Sequence, residues 1–231
     1  MPAAPRAAVV LLAAGDGRRV GAATNKVLLP LAGLPVFGWS LRVVEQLEYV
    51  VRVLVVARER DQATITATLR EHFPDLTVDV VTGGDTRHAS ERNALRVLEP
   101  AIDSGAVDVV VVHDTARPLA EARLFRSVIA SAGEHGGALP VRRLPGLVRR
   151  DSSSPRVEAQ TELVGVQTPQ AFGAATLLRA YRDADRDGFT GTDTASCVER
   201  YAAVSIHCVP SPASNLKITF PEDLTLAARL L

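Results

Sequence analysis

With 231 residues, 47% of them apolar, and a formal net charge of zero, the chain has the apolar mass for one large α/β domain or two small ones. Balanced charge and an aromatic content of 4% exclude the basic, aromatic-lined surface of a nucleic-acid binder. The two cysteines, Cys197 and Cys208, lack CxxC spacing, which excludes a zinc ribbon or disulfide scaffold; both read as buried free thiols.

The start, Met1 to Arg6, is too short and too weakly basic for a signal peptide. The apolar run Ala7 to Ala14 is strand-sized, not membrane-sized, so a soluble cytoplasmic protein with no membrane partner is expected. Ala8–Leu12 predicts a first buried strand, Val51–Ala57 a second, Thr77–Val81 a third and Val107–Val112 a fourth. Helical patterns fall between them, near 36–48, 60–72 and 89–99. Further helices are expected at 121–134, 171–184 and 193–202, and strands at Gly137–Val141, Val164–Gln167 and Ser205–Val209. A last helix starts at Pro221, a good first helical residue, with Glu222 and Asp223 complementing the helix dipole. This alternation predicts right-handed βαβ units: an α/β fold with a mostly parallel sheet flanked by helices. Residues 142–163 break the rhythm with Arg, Ser, Pro and Gly. They read either as a disordered loop or as an excursion that contacts a partner subunit.

Chemistry concentrates first at Ala13-Ala14-Gly15-Asp16-Gly17-Arg18-Arg19, followed by Lys26. A buried strand runs straight into a glycine-rich turn, whose backbone N–H groups can approach an anion closely. Arg19 and Lys26 add fixed positive charge beside it, which suits a triphosphate. A P-loop needs Gly-Lys-Ser/Thr, but Lys26 follows Asn25 and precedes Val27. A dinucleotide fingerprint needs a glycine where Val20 stands, and the second strand closes on Arg58 without an acid.

Downstream, Asp114 closes an apolar strand at the end where open α/β sheets bind ligands, and it could hold Mg2+ or cap a helix. Arg117 could grip a phosphate with two parallel hydrogen bonds or form a surface ion pair. Ser90 could bond a base or cap a helix over 91–99. Thr168-Pro169 reads as a turn or as a hydroxyl that meets substrate. Lys217 alternates with apolar Leu216 and Ile218 as on a strand. His113 reads as a structural histidine.

Six blocks, in order, resemble the 2-C-methyl-D-erythritol 4-phosphate cytidylyltransferase family of the non-mevalonate isoprenoid pathway. They are the glycine-rich loop with Arg19 and Lys26; Gly83-Gly84-Asp85-Thr86-Arg87 with Ser90; His113-Asp114-Thr115-Ala116-Arg117-Pro118; Gln167-Thr168-Pro169-Gln170; Thr192-Asp193-Thr194-Ala195-Ser196; and Asn215-Leu216-Lys217 ahead of Pro221-Glu222-Asp223. The resemblance implies a Rossmann-like nucleotidyltransferase domain spanning 1–231, with a protruding β-arm at 142–163 that interlocks in a homodimer. It implies CTP and a small alcohol phosphate as substrates, and Mg2+ as cofactor. Arg19, Lys26 and Lys217 would be catalytic. Ala13, Ala14, Gly15, Gly17, Gly84, Asp85 and Ser90 would bind nucleotide. Asp114, Arg117, Thr168 and Thr192 would hold the acceptor, with Asp114 also the metal ligand.

The pattern has departures. Asn25 replaces a proline, an exchange expected to alter loop stiffness and little else. Thr115 replaces an alanine, and Thr194 replaces a second aspartate. In the arm, Gly146-Leu147-Val148-Arg149 stands where the family has Asp-Thr-Ile-Lys, and Gln160 stands for an arginine; Arg149, Arg150 or Arg156 could substitute. These changes raise another acceptor, such as ribitol phosphate or a phosphonate, as an alternative. An oxidoreductase on a Rossmann fold and a non-catalytic nucleotide-binding relative are the readings from other classes.

Overall fold

The computed structural model describes residues 4–15, 25–144 and 163–231. Gly17 and Arg19, and in the arm Gly146, Leu147, Arg149, Arg150, Arg156 and Gln160, lie outside the described residues. β1 (Ala7–Leu12) is followed by a 3-10 turn at Lys26–Leu28, a small hairpin of β2 (Pro30–Leu31) and β3 (Leu34–Pro35), and α1 (Val36–Val44). Next come β4 (Val50–Ala57), α2 (Glu59–His72), β5 (Asp79–Thr82), α3 (Arg87–Asp103), β6 (Val109–Asp114) and α4 (Ala122–His135). The chain continues through β7 (Gly136–Arg143), β8 (Val164–Val166), β9 (Gln170–Gly173), α5 (Ala174–Asp187), α6 (Thr194–Tyr201), β10 (Ser205–Pro210) and α7 (Pro221–Leu230).

The main sheet has the order β10-β7-β9-β6-β1-β4-β5, with β8 on β7. β1 lies parallel between β4 and β6, and β5 is parallel to β4. The expected mostly parallel sheet is therefore present, with β9 inserted antiparallel between β6 and β7. The chain moves from β1 outward to β4 and β5, then returns to place β6 on the other side of β1. Such a reversal opens a crevice at the carboxyl edge of the sheet, where ligands of open α/β folds bind.

Strand alternation decides which side chains reach which face. Val9 and Leu11, Val53 and Val55, Val109 and Val111 join Phe37, Leu41, Ile65 and Phe125 in one core. Val10, Leu54, Val56, Val110 and Val112 join Leu95, Leu98, Leu177 and Tyr181 in the other. On β6 this parity sends His113 toward α4, where it packs on Phe125 at 4.9 Å between ring centroids. Asp114, one residue on, takes the opposite parity and meets α3.

Several expectations shift. The third strand starts at Asp79, not Thr77, because only 79–82 find partners on β4. The helix expected over 171–184 starts at Ala174, since Gln170–Gly173 fills the gap between β6 and β7 as a strand. Lys217 lies on irregular chain, not on a strand. Cys197 is buried as expected, but Cys208 is exposed, so the buried-thiol expectation fails for it. Burial pushes the Cys197 thiol up to about 12, which leaves it protonated and inert near neutral pH.

Candidate active site

The carboxyl ends of β1, β4 and β6 are level: Leu12 aligns with Val56 on one side and Asp114 on the other. The loops that leave these ends therefore meet at one edge. Ala13 N–H donates to the Val56 carbonyl at 2.8 Å, which turns the chain out of β1. Two side chains then hold this turn from outside. Asn25 donates to the Ala13 carbonyl at 2.7 Å and to Asp61 at 2.9 Å, and Arg58 Nε donates to the Ala14 carbonyl at 2.9 Å. Asn25 is 1% exposed. Its effect thus exceeds loop stiffness, and that expectation is corrected: it bridges the glycine-rich turn to α2 through buried hydrogen bonds.

Beside this turn, Gly83 and Gly84 leave β5. A Cβ on Gly83 would meet Ala14 Cβ at 2.5 Å, and one on Gly84 would meet Ala89 Cβ at 2.5 Å. Only glycine lets the two loops pass this closely. Gly84 N–H donates to Ser90 Oγ at 3.1 Å, and Ser90 Oγ donates to the Thr86 carbonyl at 2.9 Å. The capping alternative for Ser90 is corrected, because α3 begins at Arg87 and its cap is Thr86. Ser90 instead fixes the glycine loop. Arg58, Arg60, Gly84 and Asp85 border a cleft of about 560 Å3 here, and Asp85 itself is exposed.

Asp114 is the electrostatic centre. Arg87 Nη1 donates to its Oδ1, and Lys217 Nζ donates to its Oδ2 at 2.6 Å. Burial pushes the carboxyl upward, but the charges of Arg87 and Lys217 outweigh it and hold Asp114 well below the usual carboxylate range. Its own N–H donates to Thr168 Oγ1 at 3.1 Å, and that hydroxyl also meets His113 Nδ1 at 3.2 Å. Burial pushes His113 down to about 3, so it is neutral near pH 7 and fits its structural reading.

Lys217 is placed by its neighbours. Ile218 is fully buried beside Leu31, Val36 and Leu119, and its N–H donates to the Ala116 carbonyl at 2.8 Å. The Ile218 carbonyl accepts from Lys26 Nζ at 2.7 Å. Lys26, far away in sequence, is thereby docked on the residue next to Lys217. Asn215 is fully buried, and its side-chain amide donates to the Thr168 carbonyl at 3.0 Å; its backbone carbonyl accepts from Arg117 Nη1 at 2.8 Å. Burial lowers Arg117 from its ordinary value, and one arm of its guanidinium is committed to the protein. Thr192 lies exposed just before α6, which Asp193 caps by accepting from Ser196 N–H at 2.9 Å.

The structure thus gathers Ala13, Ala14, Gly84, Asp85 and Ser90 beside one cleft and Lys26, Asp114, Arg117, Thr168 and Lys217 around the end of β6, with Gly15 following β1 and Thr192 preceding α6. Sequence reasoning gave no role of their own to Arg87, Glu91 or Arg58. The available signal for the first two was spacing: Arg87 and Glu91 stand four apart on one helix, and Glu91 falls on the apolar stripe of Ala94, Leu95, Leu98 and Ile102.

A family model described as "IspD: 2-C-methyl-D-erythritol 4-phosphate cytidylyltransferase" matches residues 7–231. The 2-C-methyl-D-erythritol 4-phosphate cytidylyltransferase of Acidobacterium capsulatum is 37% identical over 234 residues, covering 96% of each chain. That of Symbiobacterium thermophilum is 37% identical and covers 96% of this chain and 92% of its own. Among solved structures, the enzyme of the same name from Thermus thermophilus superposes with a TM-score of 0.73 at 30% identity, over 96% of both chains. The 4-diphosphocytidyl-2C-methyl-D-erythritol synthase of Anaerococcus prevotii superposes at 0.82 with 23% identity, over 98% of this chain and 96% of its own, a likeness of fold.

Proposed function

The chain belongs to the 2-C-methyl-D-erythritol 4-phosphate cytidylyltransferase family, and from that premise we propose that it transfers CMP from CTP to 2-C-methyl-D-erythritol 4-phosphate. A phosphate oxygen of the acceptor attacks the α-phosphorus of CTP, the α–β bridge bond breaks, and pyrophosphate leaves. The acceptor phosphate is already anionic near neutral pH, so positioning and charge neutralisation carry the catalysis.

The observation that best supports this reading is the docking of Lys26 on the Ile218 carbonyl, next in the chain to Lys217, whose own ammonium sits on Asp114. In the proposal these two lysines, with Arg19, neutralise the triphosphate and the departing pyrophosphate. Ala13, Ala14, Gly15, Gly17, Gly84 and Asp85 cradle the nucleotide, and Ser90 acts by fixing Gly84. Asp114 accepts hydrogen bonds from acceptor hydroxyls, assisted by Arg117 and Thr192. Thr168 acts through Asp114, because its hydroxyl already takes that residue's N–H.

Mg2+ fits this donor set. It takes one or two carboxylates together with phosphate oxygens and water. Asp114 is an ionised carboxylate whose oxygens each keep a further lone pair beside Arg87 and Lys217. Among the described residues no cluster of three His, Cys, Asp or Glu offers an all-protein cage, so Asp114 would share the ion with the triphosphate. Bound there, Mg2+ supplies charge neutralisation at the phosphates.

We further propose a single nucleotidyltransferase domain over 1–231, a homodimer formed through the arm at 142–163, and a cytoplasmic location. No helix among the described residues is long and apolar enough to cross a membrane. The test is pyrophosphate release from CTP with methylerythritol phosphate, against a panel including ribitol phosphate and phosphonates. Release with methylerythritol phosphate, abolished by a chelator and restored by Mg2+, is expected. Release only with another acceptor would move the assignment to that acceptor.

A further inference from the structure

A carboxylate sunk in the interior stands directly behind the site, and no step above uses it. Glu91 is 1% exposed. It occupies a position on α3 where Ala94, Leu95, Leu98 and Ile102 continue an apolar stripe. An apolar side chain there would be the cheaper solution, because a buried carboxylate must be stripped of its hydration shell. Glu91 is instead fully partnered. Its Oε1 accepts from Arg87 Nε at 2.8 Å and from Thr194 Oγ1 at 3.0 Å, and its Oε2 accepts from the Tyr181 hydroxyl.

These partners lead outward to the site. Arg87 uses Nε on Glu91 and Nη1 on Asp114, so one guanidinium is stretched between the interior acid and the acid at the sheet edge. Asp114 in turn holds Lys217 at 2.6 Å. Thr194 is the first residue of α6, two places after Thr192. A single interior carboxylate therefore joins α3, α5 and α6 to both the cationic and the acceptor sides of the edge.

We propose that Glu91 is a positioning residue: it fixes the Arg87 guanidinium against Asp114 and ties the start of α6 to the same point, so that Asp114, Lys217 and Thr192 hold one geometry. It touches no substrate. The inference rests on the reading of Asp114 and Lys217 given under the proposed function. Arg87 is the adjustable part of the link, since without Glu91 nothing in the described structure holds its Nε.

The test compares Glu91→Gln, which keeps the shape and removes the carboxylate, with Glu91→Leu, which completes the apolar stripe but leaves Arg87 Nε, Thr194 Oγ1 and the Tyr181 hydroxyl without their acceptor. Steady-state pyrophosphate release gives kcat and both KM values, and urea unfolding gives the folded fraction. Glu91→Gln is expected to unfold cooperatively near the native midpoint and Glu91→Leu at lower urea, with kinetic constants taken per folded molecule. The ratio kcat/KM for methylerythritol phosphate should fall by about 10- to 100-fold, the scale of a roughly 1 Å misplacement, while the KM for CTP changes much less. Returning a carboxylate from α6, with Glu91→Ala and Thr194→Glu together, should recover part of the loss. Native kinetics in Glu91→Gln and Glu91→Leu overturn the proposal, and so does a loss borne equally by both substrates and matched by a lower folded fraction. A wild-type chain that releases no pyrophosphate with any acceptor strikes the site reading instead. In that case a crystal structure of Glu91→Leu decides: Arg87 still seated on Asp114 overturns the inference, and Arg87 released from it supports it.

Discussion

Lys217 and Asp114 form a half-buried ion pair, and a pair of this kind is stable only while nothing more anionic competes for the lysine. A triphosphate does compete. When it enters, the ammonium can pass to phosphate because Asp114 keeps Arg87 as counter-charge. Lys217→Ala therefore removes charge at the reaction centre without leaving Asp114 unpaired. Lys26→Ala removes the second cation from the same segment. Each should lower kcat by about 100-fold or more, the usual size for one lost charge-stabilising donor, with urea midpoints close to native. Turnover near native in both variants would sink the mechanism. The two lysines were legible as residues from their blocks. Their convergence was not, because it depends on Ile218 finding the small core of Leu31, Val36 and Leu119, and no local spacing encodes that. Glu91 was hidden for a related reason. A charged residue on an apolar stripe reads as a break in the pattern until Arg87, Tyr181 and Thr194 are seen to close around it.

The strands that carry the site were readable because their apolar runs are long and β-branched: β1, β4 and β6 lie within two residues of expectation. β9 was not. Gln170-Ala171-Phe172-Gly173 has no strand signature, and it becomes one because the gap between β6 and β7 supplies partners on both sides. Long-range pairing overrides weak local preference there. The two loops at the edge depend on backbone clearance. Gly84 lies against Ala89, so a methyl group forces the loop away from α3 and breaks the Gly84 N–H to Ser90 Oγ bond. Gly84→Ala should therefore weaken CTP binding by about 10-fold or more, the equivalent of one hydrogen bond of about 1.4 kcal/mol, while global stability changes less. Titration calorimetry with CTP checks this. An unchanged Kd would mean that the loop does not contact the nucleotide.

For the molecule as a whole, strand parity separates two adjacent residues into opposite environments. Asp114 goes to the charged edge beside α3, and His113 goes into the core against Phe125. The His113 side chain is fully buried and pushed down to about 3, mainly by that burial. In the unfolded chain it returns to about 6.5. Between these values the unfolded state carries a proton that the native state refuses, so stability is fully present above about 6.5 and is lost as pH falls. One such group contributes a slope of at most about 1.4 kcal/mol per pH unit. His88, also lowered by burial, adds to the native slope in the same direction, so the informative quantity is a difference. Urea unfolding of the native chain and of His113→Asn should be compared between about pH 4.5 and 6.5, where carboxylates stay mostly ionised. The native chain should lose stability more steeply toward acid than the variant, and the two slopes should converge above about pH 7. Equal slopes across the window would mean that the folded protein admits the proton at His113. The core beneath the Asp114 edge would then have to open or rearrange to accept the charge.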